Sequence, residues 1–172
     1  MEMTRRAIRD VKDFPKPGIV FKDVTPLLLD PKLLSAVIAA MAEPYRSARI
    51  NRVVSIESRG FLFGVPIALE LGAGLVPIRK PGKLPAATQR VEYALEYGTD
   101  ALEMHHDAVQ SGDRVLVVDD VLATGGTANA AAQLVGGTGA SVVGFSFLIE
   151  LDFLKGRQRL QGRHVEALLH YA

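Results

Sequence analysis

The chain has 172 residues, 48% apolar and 23% charged, with a formal net charge of +1. That is long enough for one domain with a substantial core, too apolar for a disordered chain, and too evenly charged to offer a nucleic-acid surface. There is no cysteine, which excludes disulfides, thiolate metal sites and a cysteine nucleophile. The charged N-terminal stretch lacks the apolar run of a signal peptide, and no segment reaches membrane-spanning length, so a soluble cytoplasmic protein is expected.

Taken in chain order, Asp30-Pro31 predicts a helix start, an N-cap followed by proline at the first helical position. The helix continues through Leu33, Leu34, Val37, Ile38 and Met41 at helical spacing, until Pro44 disturbs it. Val53 to Ile56 reads as a short buried strand, Phe61 to Leu71 as a helix closed near Gly72, and Leu75 to Ile78 as another strand. Arg90 to Met104 breaks the alternation and suggests a β-excursion hanging off the sheet, a candidate lid. Val115 to Val118 is a buried strand, followed by a helix from about Thr127, with Thr127 a plausible N-cap, to Val135, where Gly136 and Gly137 end it. Ser141 to Ile149 is a further strand, and Val165 to Tyr171 a last one. Continuous apolar strands alternating with helices indicate an α/β fold with a mostly parallel central sheet covered on both faces.

The most informative run is Val115 to Thr127, VLVVDDVLATGGT. Two carboxylates, Asp119 and Asp120, follow a buried strand, and a small turn of Ala123, Thr124, Gly125, Gly126 and Thr127 opens onto a helix. Backbone N–H groups of such a turn can face a phosphate, and the carboxylates can accept hydrogen bonds from sugar hydroxyls. A glycine turn alone would be an ordinary strand-to-helix loop; the strand, the two acids and TGGT in that order point to a phosphorylated, hydroxyl-rich ligand. In parallel sheets ligands sit beyond the carboxyl ends of the strands. Two more loops follow strands in this way: Glu57-Ser58-Arg59-Gly60, and Arg79-Lys80-Pro81-Gly82-Lys83. All three are expected to converge. Arg79, Lys80 and Lys83 are cations suited to phosphate oxygens, against the plainer reading of a solvated surface loop. For Glu57 to Gly60 the plainer reading is a helix-initiating turn with Arg59 in a surface salt bridge. His105 and His106 point to different sides of their element and read as structural or surface groups. Phe145 and Phe147 share a strand face and read as core.

The Asp119 run resembles the phosphoribosyl pyrophosphate motif of the type I phosphoribosyltransferases. The resemblance implies that Asp119 and Asp120 hold the ribose 2- and 3-hydroxyls and that Ala123 to Thr127 wrap the 5-phosphate. It assigns the pyrophosphate to Glu57, Ser58 and Arg59, in a loop where the family often holds a non-proline cis peptide, and to Arg79, Lys80 and Lys83. Pro17 to Pro26 (PGIVFKDVTP) resembles the hood of adenine phosphoribosyltransferases. That implies Phe21 stacked on the purine, Val121 on its other face, and the backbone of Val20 and Lys22 reading the adenine edge. Lys22 stands where the family usually has arginine. Leu95-Glu96-Tyr97-Gly98 resembles the catalytic flexible loop, which places Glu96 near adenine N7 and Tyr97 over the site, with Arg59 the third catalytic position. Without the resemblance, Phe21 is an ordinary core residue and Glu96 a solvent-facing acid. Phe153 to Arg157 matches the family's C-terminal region without a chemical role.

The family fold implied is a single type I phosphoribosyltransferase domain over residues 1–172, with a small hood over about 1–30 and a flexible β-loop over about 84–105. The activity implied is transfer of the phosphoribosyl group from phosphoribosyl pyrophosphate to adenine, giving AMP and pyrophosphate in purine salvage. The resemblance also implies Mg²⁺ riding on the substrate with no direct protein ligand, and a homodimer; no nucleic-acid or membrane partner is expected. The alternatives are transfer to another base, or a non-catalytic nucleotide-sensing regulator on the same fold.

Overall fold

The computed structural model describes residues 2–94 and 98–172. A short helix α1 (Glu2–Arg6) leads into an antiparallel hairpin, β1 (Arg9–Lys12) and β2 (Val20–Asp23). After a single turn α2 (Thr25–Leu28), helix α3 (Pro31–Ala42) starts where Asp30 and Pro31 predict it. The Asp30 carboxylate accepts hydrogen bonds from the N–H groups of Lys32 and Leu33 at 2.9 and 3.0 Å, which satisfies two of the donors a helix start leaves over. Pro44 lies in a 3₁₀ turn, Glu43–Tyr45, that closes it.

The body follows as β3 (Arg52–Ile56), α4 (Gly60–Leu71), β4 (Gly74–Ile78), an antiparallel arm of β5 (Thr88–Ala94) and β6 (Thr99–His105), β7 (Arg114–Leu122), α5 (Gly126–Gly136), β8 (Ser141–Leu151) and β9 (Val165–Tyr171). Five of these strands form one sheet in the order β4-β3-β7-β8-β9, every neighbouring pair parallel. The continuous apolar strands have the expected cause. Val115 and Val117 face a core built with α5 and the arm, including Ala131, Leu134 and Met104. Leu116 and Val118 face a second core with α3 and α4, including Met41, Phe63 and Ile67. A strand buried on both faces has no reason to alternate. Phe145 and Phe147 are core, stacked with centroids 6.3 Å apart, and of the two histidines His105 is half-buried and His106 exposed.

β8 runs two residues past Ile149, to Leu151, and two boundaries at the Asp119 run also differ from the sequence reading. The central strand does not stop at Val118 but runs to Leu122, so both acids lie within it; the carboxylates interrupt the apolar pattern without ending the strand. Thr127 does not cap α5. The N-cap is Gly125, left-handed at φ 78°, and Thr127 sits one residue inside the helix.

Helix α4 lies tightly on β3. A methyl group at Gly64 would come 2.3 Å from Ser55 Oγ and 2.5 Å from its Cβ. Gly64→Ala is expected to cost about 1–3 kcal/mol of stability, as overpacking does, read as a lowered melting temperature; an unchanged one would show a slack interface. The chain ends are stitched to the hairpin: the Tyr171 ring lies 4.8 Å from the Arg5 guanidinium and 4.2 Å from the Lys22 ammonium. Among the described residues no helix is long and apolar enough to cross a membrane.

Candidate active site

At the carboxyl ends of β3, β4, β7 and β8 the structure opens a cavity of about 590 Å³. The hairpin strand β2 supplies Val20, Phe21 and Lys22 to its wall, and the loop after β3 supplies Glu57, Ser58 and Arg59. Lys80 enters from the end of β4, and Asp119, Asp120, Val121, Ala123 and Thr127 from β7 and the turn beyond. A small adjoining recess is lined by Thr124 and Gly125 as well, and Gly126 is the first residue of α5 beside it. The three loops therefore converge, and the hood run meets them. Arg79 and Lys83 do not join the lining: Arg79 Nε donates to Glu57 at 3.1 Å and its Nη1 to the Lys83 carbonyl at 3.4 Å. Glu96 and Tyr97 lie outside the described residues.

The turn that follows the acids is shaped by its floor. A Cβ at Gly125 would come 2.3 Å from the Gly156 carbonyl oxygen, and a Cβ at Gly156 would come 2.1 Å from that of Ala123 and 3.0 Å from the Gly125 nitrogen. Two backbones thus touch with no room for a side chain. This gives the Phe153 to Arg157 segment a role the sequence does not disclose: it supports the turn from behind. Arg157 fixes the segment by forking onto Glu150 at 3.1 and 2.5 Å and donating to the Val165 carbonyl at 2.7 Å. Gly60 works in the same way at the start of α4, where a Cβ would come 2.8 Å from Asp119 Oδ1.

The electrostatics centre on the two acids. Burial, and next the charge of Asp120, push the Asp119 carboxyl well above the ordinary carboxylate range. Burial also raises Asp120, with Arg59 pulling the other way. Arg59 Nε stands 2.6 Å from Asp120 Oδ2. The contact is an ion pair rather than an aligned hydrogen bond, since that oxygen has no hydrogen-bond donor among the described residues. The same guanidinium lies 4.8 Å over the Phe21 ring, so one side chain spans the hood and the acids. Burial works against the Glu57 charge, but the N–H of Lys80 at 2.9 Å and the Arg79 guanidinium outweigh it and hold its pKa below the usual value. The Glu57–Ser58 peptide is cis, in the loop where the resemblance expects one. Three of the cations thus face carboxylates of the chain itself: Arg59 with Asp120, Arg79 with Glu57, Lys80 with Asp100.

The phosphoribosyl transferase domain model matches residues 24–164. An adenine phosphoribosyltransferase of Acaryochloris marina is 60% identical over 164 residues, 95% of this chain and 96% of that protein. One from Myxococcus xanthus is 59% identical over 164 residues, 95% of this chain and 89% of that protein. The chain belongs to the adenine phosphoribosyltransferase family. Solved structures of the family superpose closely. The enzyme of Rhodothermus marinus gives a TM-score of 0.95 at 54% identity, covering 99% of this chain and 97% of that one. The enzyme of Saccharomyces cerevisiae, complexed with an imino-altritol bisphosphate and adenine, gives 0.92 at 41% identity, covering 98% and 97%.

Family membership does not by itself reveal two further wall residues, Ile19 and Leu151. Leu151 ends a sheet strand at the carboxyl edge, so the rule that drew attention to the other three loops, applied to β8, would have found it. Ile19 lies inside the PGIVF run and carries no chemical signal of its own. Among the described residues, one group of three potential ligands could share a cation: Glu150, Asp152 and His170. Its Glu150 is already taken by Arg157.

Proposed function

We propose that the chain transfers the 5-phosphoribosyl group from phosphoribosyl pyrophosphate to adenine, forming AMP and pyrophosphate. The observation that carries this reading is the joining of Phe21 and Val121 in one cavity with Asp119, Asp120 and the Ala123–Thr127 turn. An aromatic face is a platform for a flat base. The backbone of Val20 and Lys22 reads the adenine edge, with the Lys22 side chain turned to Asp10 at 2.7 Å rather than to the base. Asp119 and Asp120 accept from the ribose hydroxyls, and the turn from Ala123 through Thr124, Gly125 and Gly126 to Thr127 donates to the 5-phosphate. Ser58, Arg59 and Lys80 receive the pyrophosphate, with Glu57 holding the Lys80 backbone in place; Arg79 and Lys83 extend the cationic loop.

No covalent nucleophile is required. Substitution at the anomeric carbon passes through an oxocarbenium-like state, and the protein aligns base and sugar, neutralises the departing charge and excludes water. Asp119 and Asp120, carboxylates on the cavity wall, would be the residues to hold an Mg²⁺ brought in with the substrate, and the ion would supply charge stabilisation to the leaving diphosphate. Glu96 and Tyr97 complete the reading as the acid near N7 and the group that closes over the base. Glu96→Ala is expected to lower turnover far more than affinity for phosphoribosyl pyrophosphate; steady-state kinetics and direct binding would separate these, and weakened binding at unchanged turnover would remove that role.

The same reading makes the chain one catalytic domain with a hood over about 1–30 and an arm over about 84–105, acting in cytoplasmic purine salvage as a homodimer. Leu62, Val65 and Leu69 support the dimer: they are 46%, 44% and 78% exposed at helical spacing on α4, an apolar stripe suited to a second copy. The test of function is a panel of bases with phosphoribosyl pyrophosphate and Mg²⁺. AMP is expected from adenine, with guanine, hypoxanthine and orotate unreactive; absence of AMP would refute the assignment.

A further inference from the structure

Lys80 is held in a closed triangle. Its ammonium donates to the Asp100 carboxylate and, at 3.1 Å, to the Tyr93 hydroxyl. Tyr93 Oη donates at 3.1 Å to the same Asp100 oxygen, and the other oxygen accepts from the Ala101 N–H at 2.8 Å. Tyr93 is buried, and the side chains of Lys80 and Asp100 are 38% and 27% exposed. The pair is partly out of water, where a charge-assisted hydrogen bond counts for more than on a surface. Lys80 belongs to the edge of the sheet and lines the cavity, whereas Tyr93 and Asp100 belong to β5 and β6 of the arm.

We infer that Asp100 is a specificity-determining residue that competes with the incoming diphosphate for Lys80. This rests on the reading of Lys80 as a pyrophosphate ligand. Burial works against the Lys80 ammonium, but Asp100 and Tyr93 outweigh it and raise its pKa; Asp100 is lowered through the same contacts. Lysine and carboxylate are both charged at neutral pH, so ligand binding changes the partner of the lysine and not its charge. An anion must displace a carboxylate already hydrogen-bonded in place. A diphosphate, with more charge and more oxygens to offer, meets that threshold better than inorganic phosphate. When pyrophosphate is to leave, Asp100 is at hand to take Lys80 back.

The test is calorimetric titration with pyrophosphate and, separately, with inorganic phosphate, on wild type, Asp100→Asn, Lys80→Ala and the double variant, with thermal melting to confirm folding. Asp100→Ser serves if the asparagine variant is unstable. Asp100→Asn is expected to bind pyrophosphate about three- to fivefold tighter, the scale of one ion pair removed from the competition. It is also expected to lose part of its preference for pyrophosphate over phosphate, and to show a lower KM for phosphoribosyl pyrophosphate. The gain should vanish in the double variant. Unchanged or weaker binding in Asp100→Asn, or a gain that survives loss of Lys80, overturns the inference. Pyrophosphate affinity unaltered by Lys80→Ala would instead refute the ligand role of Lys80 on which it stands.

Discussion

Gly125→Ala is expected to reduce kcat/KM for phosphoribosyl pyrophosphate by about 100-fold or more, the penalty for displacing a reacting group by an ångström. The residue is at φ 78°, a region that costs an L side chain roughly 1 kcal/mol. Its new methyl group would also stand 2.3 Å from the Gly156 carbonyl oxygen and 3.1 Å from the carbonyl carbon. Both neighbours are backbone and cannot swing aside as a side chain would, so the turn has to move, and the donors aimed at the 5-phosphate move with it. Gly156→Ala approaches the same contact from the other side and should give the same kinetic result. Steady-state kinetics with thermal melting would check this: near wild-type kinetics in either variant would show that the turn does not position the phosphate.

The second large effect is at Arg59. Arg59→Ala removes the partner of Asp120 and the guanidinium over Phe21. A fall of about 100- to 1,000-fold in kcat/KM is expected, the scale for losing one preorganised donor where charge develops. The pH dependence has a definite sign. Burial raises Asp120 and Arg59 opposes it, so without Arg59 the carboxyl protonates at higher pH, and the acid limb of the pH–rate profile moves up. Arg59 stabilises the folded protein only while Asp120 is ionised. The difference in melting temperature between wild type and variant should therefore be largest at neutral and alkaline pH and shrink as pH falls through the Asp120 pKa. A difference that grows on acidification would rule out the pair as the source.

How much could be read from the chain varies with the range of the cause. The strand at Val115 was legible because a strand buried on both faces writes its own run of apolar residues. Its continuation to Leu122 was not, because two acids break the pattern while the backbone stays extended. Asp30 could be identified as a cap from its neighbour Pro31. The cap of α5 could not, because what selects Gly125 over Thr127 is a carbonyl 31 positions further on. The hood around Phe21 carried no chemistry of its own and was legible only by resemblance. In the run Arg79 to Lys83 the cations look alike in sequence. Lys80 reaches the cavity wall, while Arg79 is committed to Glu57, and that division is set by residues 13 to 22 positions away.

The pairing of Arg59, Arg79 and Lys80 with carboxylates of the chain bears on how the site responds to its medium. A basic surface holds mobile ions, sheds them when a polyanion arrives, and loses affinity steeply as electrolyte is added. At Arg59 and Lys80, the two of these that line the cavity, the groups to be displaced are tethered side chains. Added salt finds little there to replace or to screen at such short range. Affinity for the diphosphate is thus expected to change only slightly with ionic strength, and a titration series across potassium chloride concentrations would show a shallow slope.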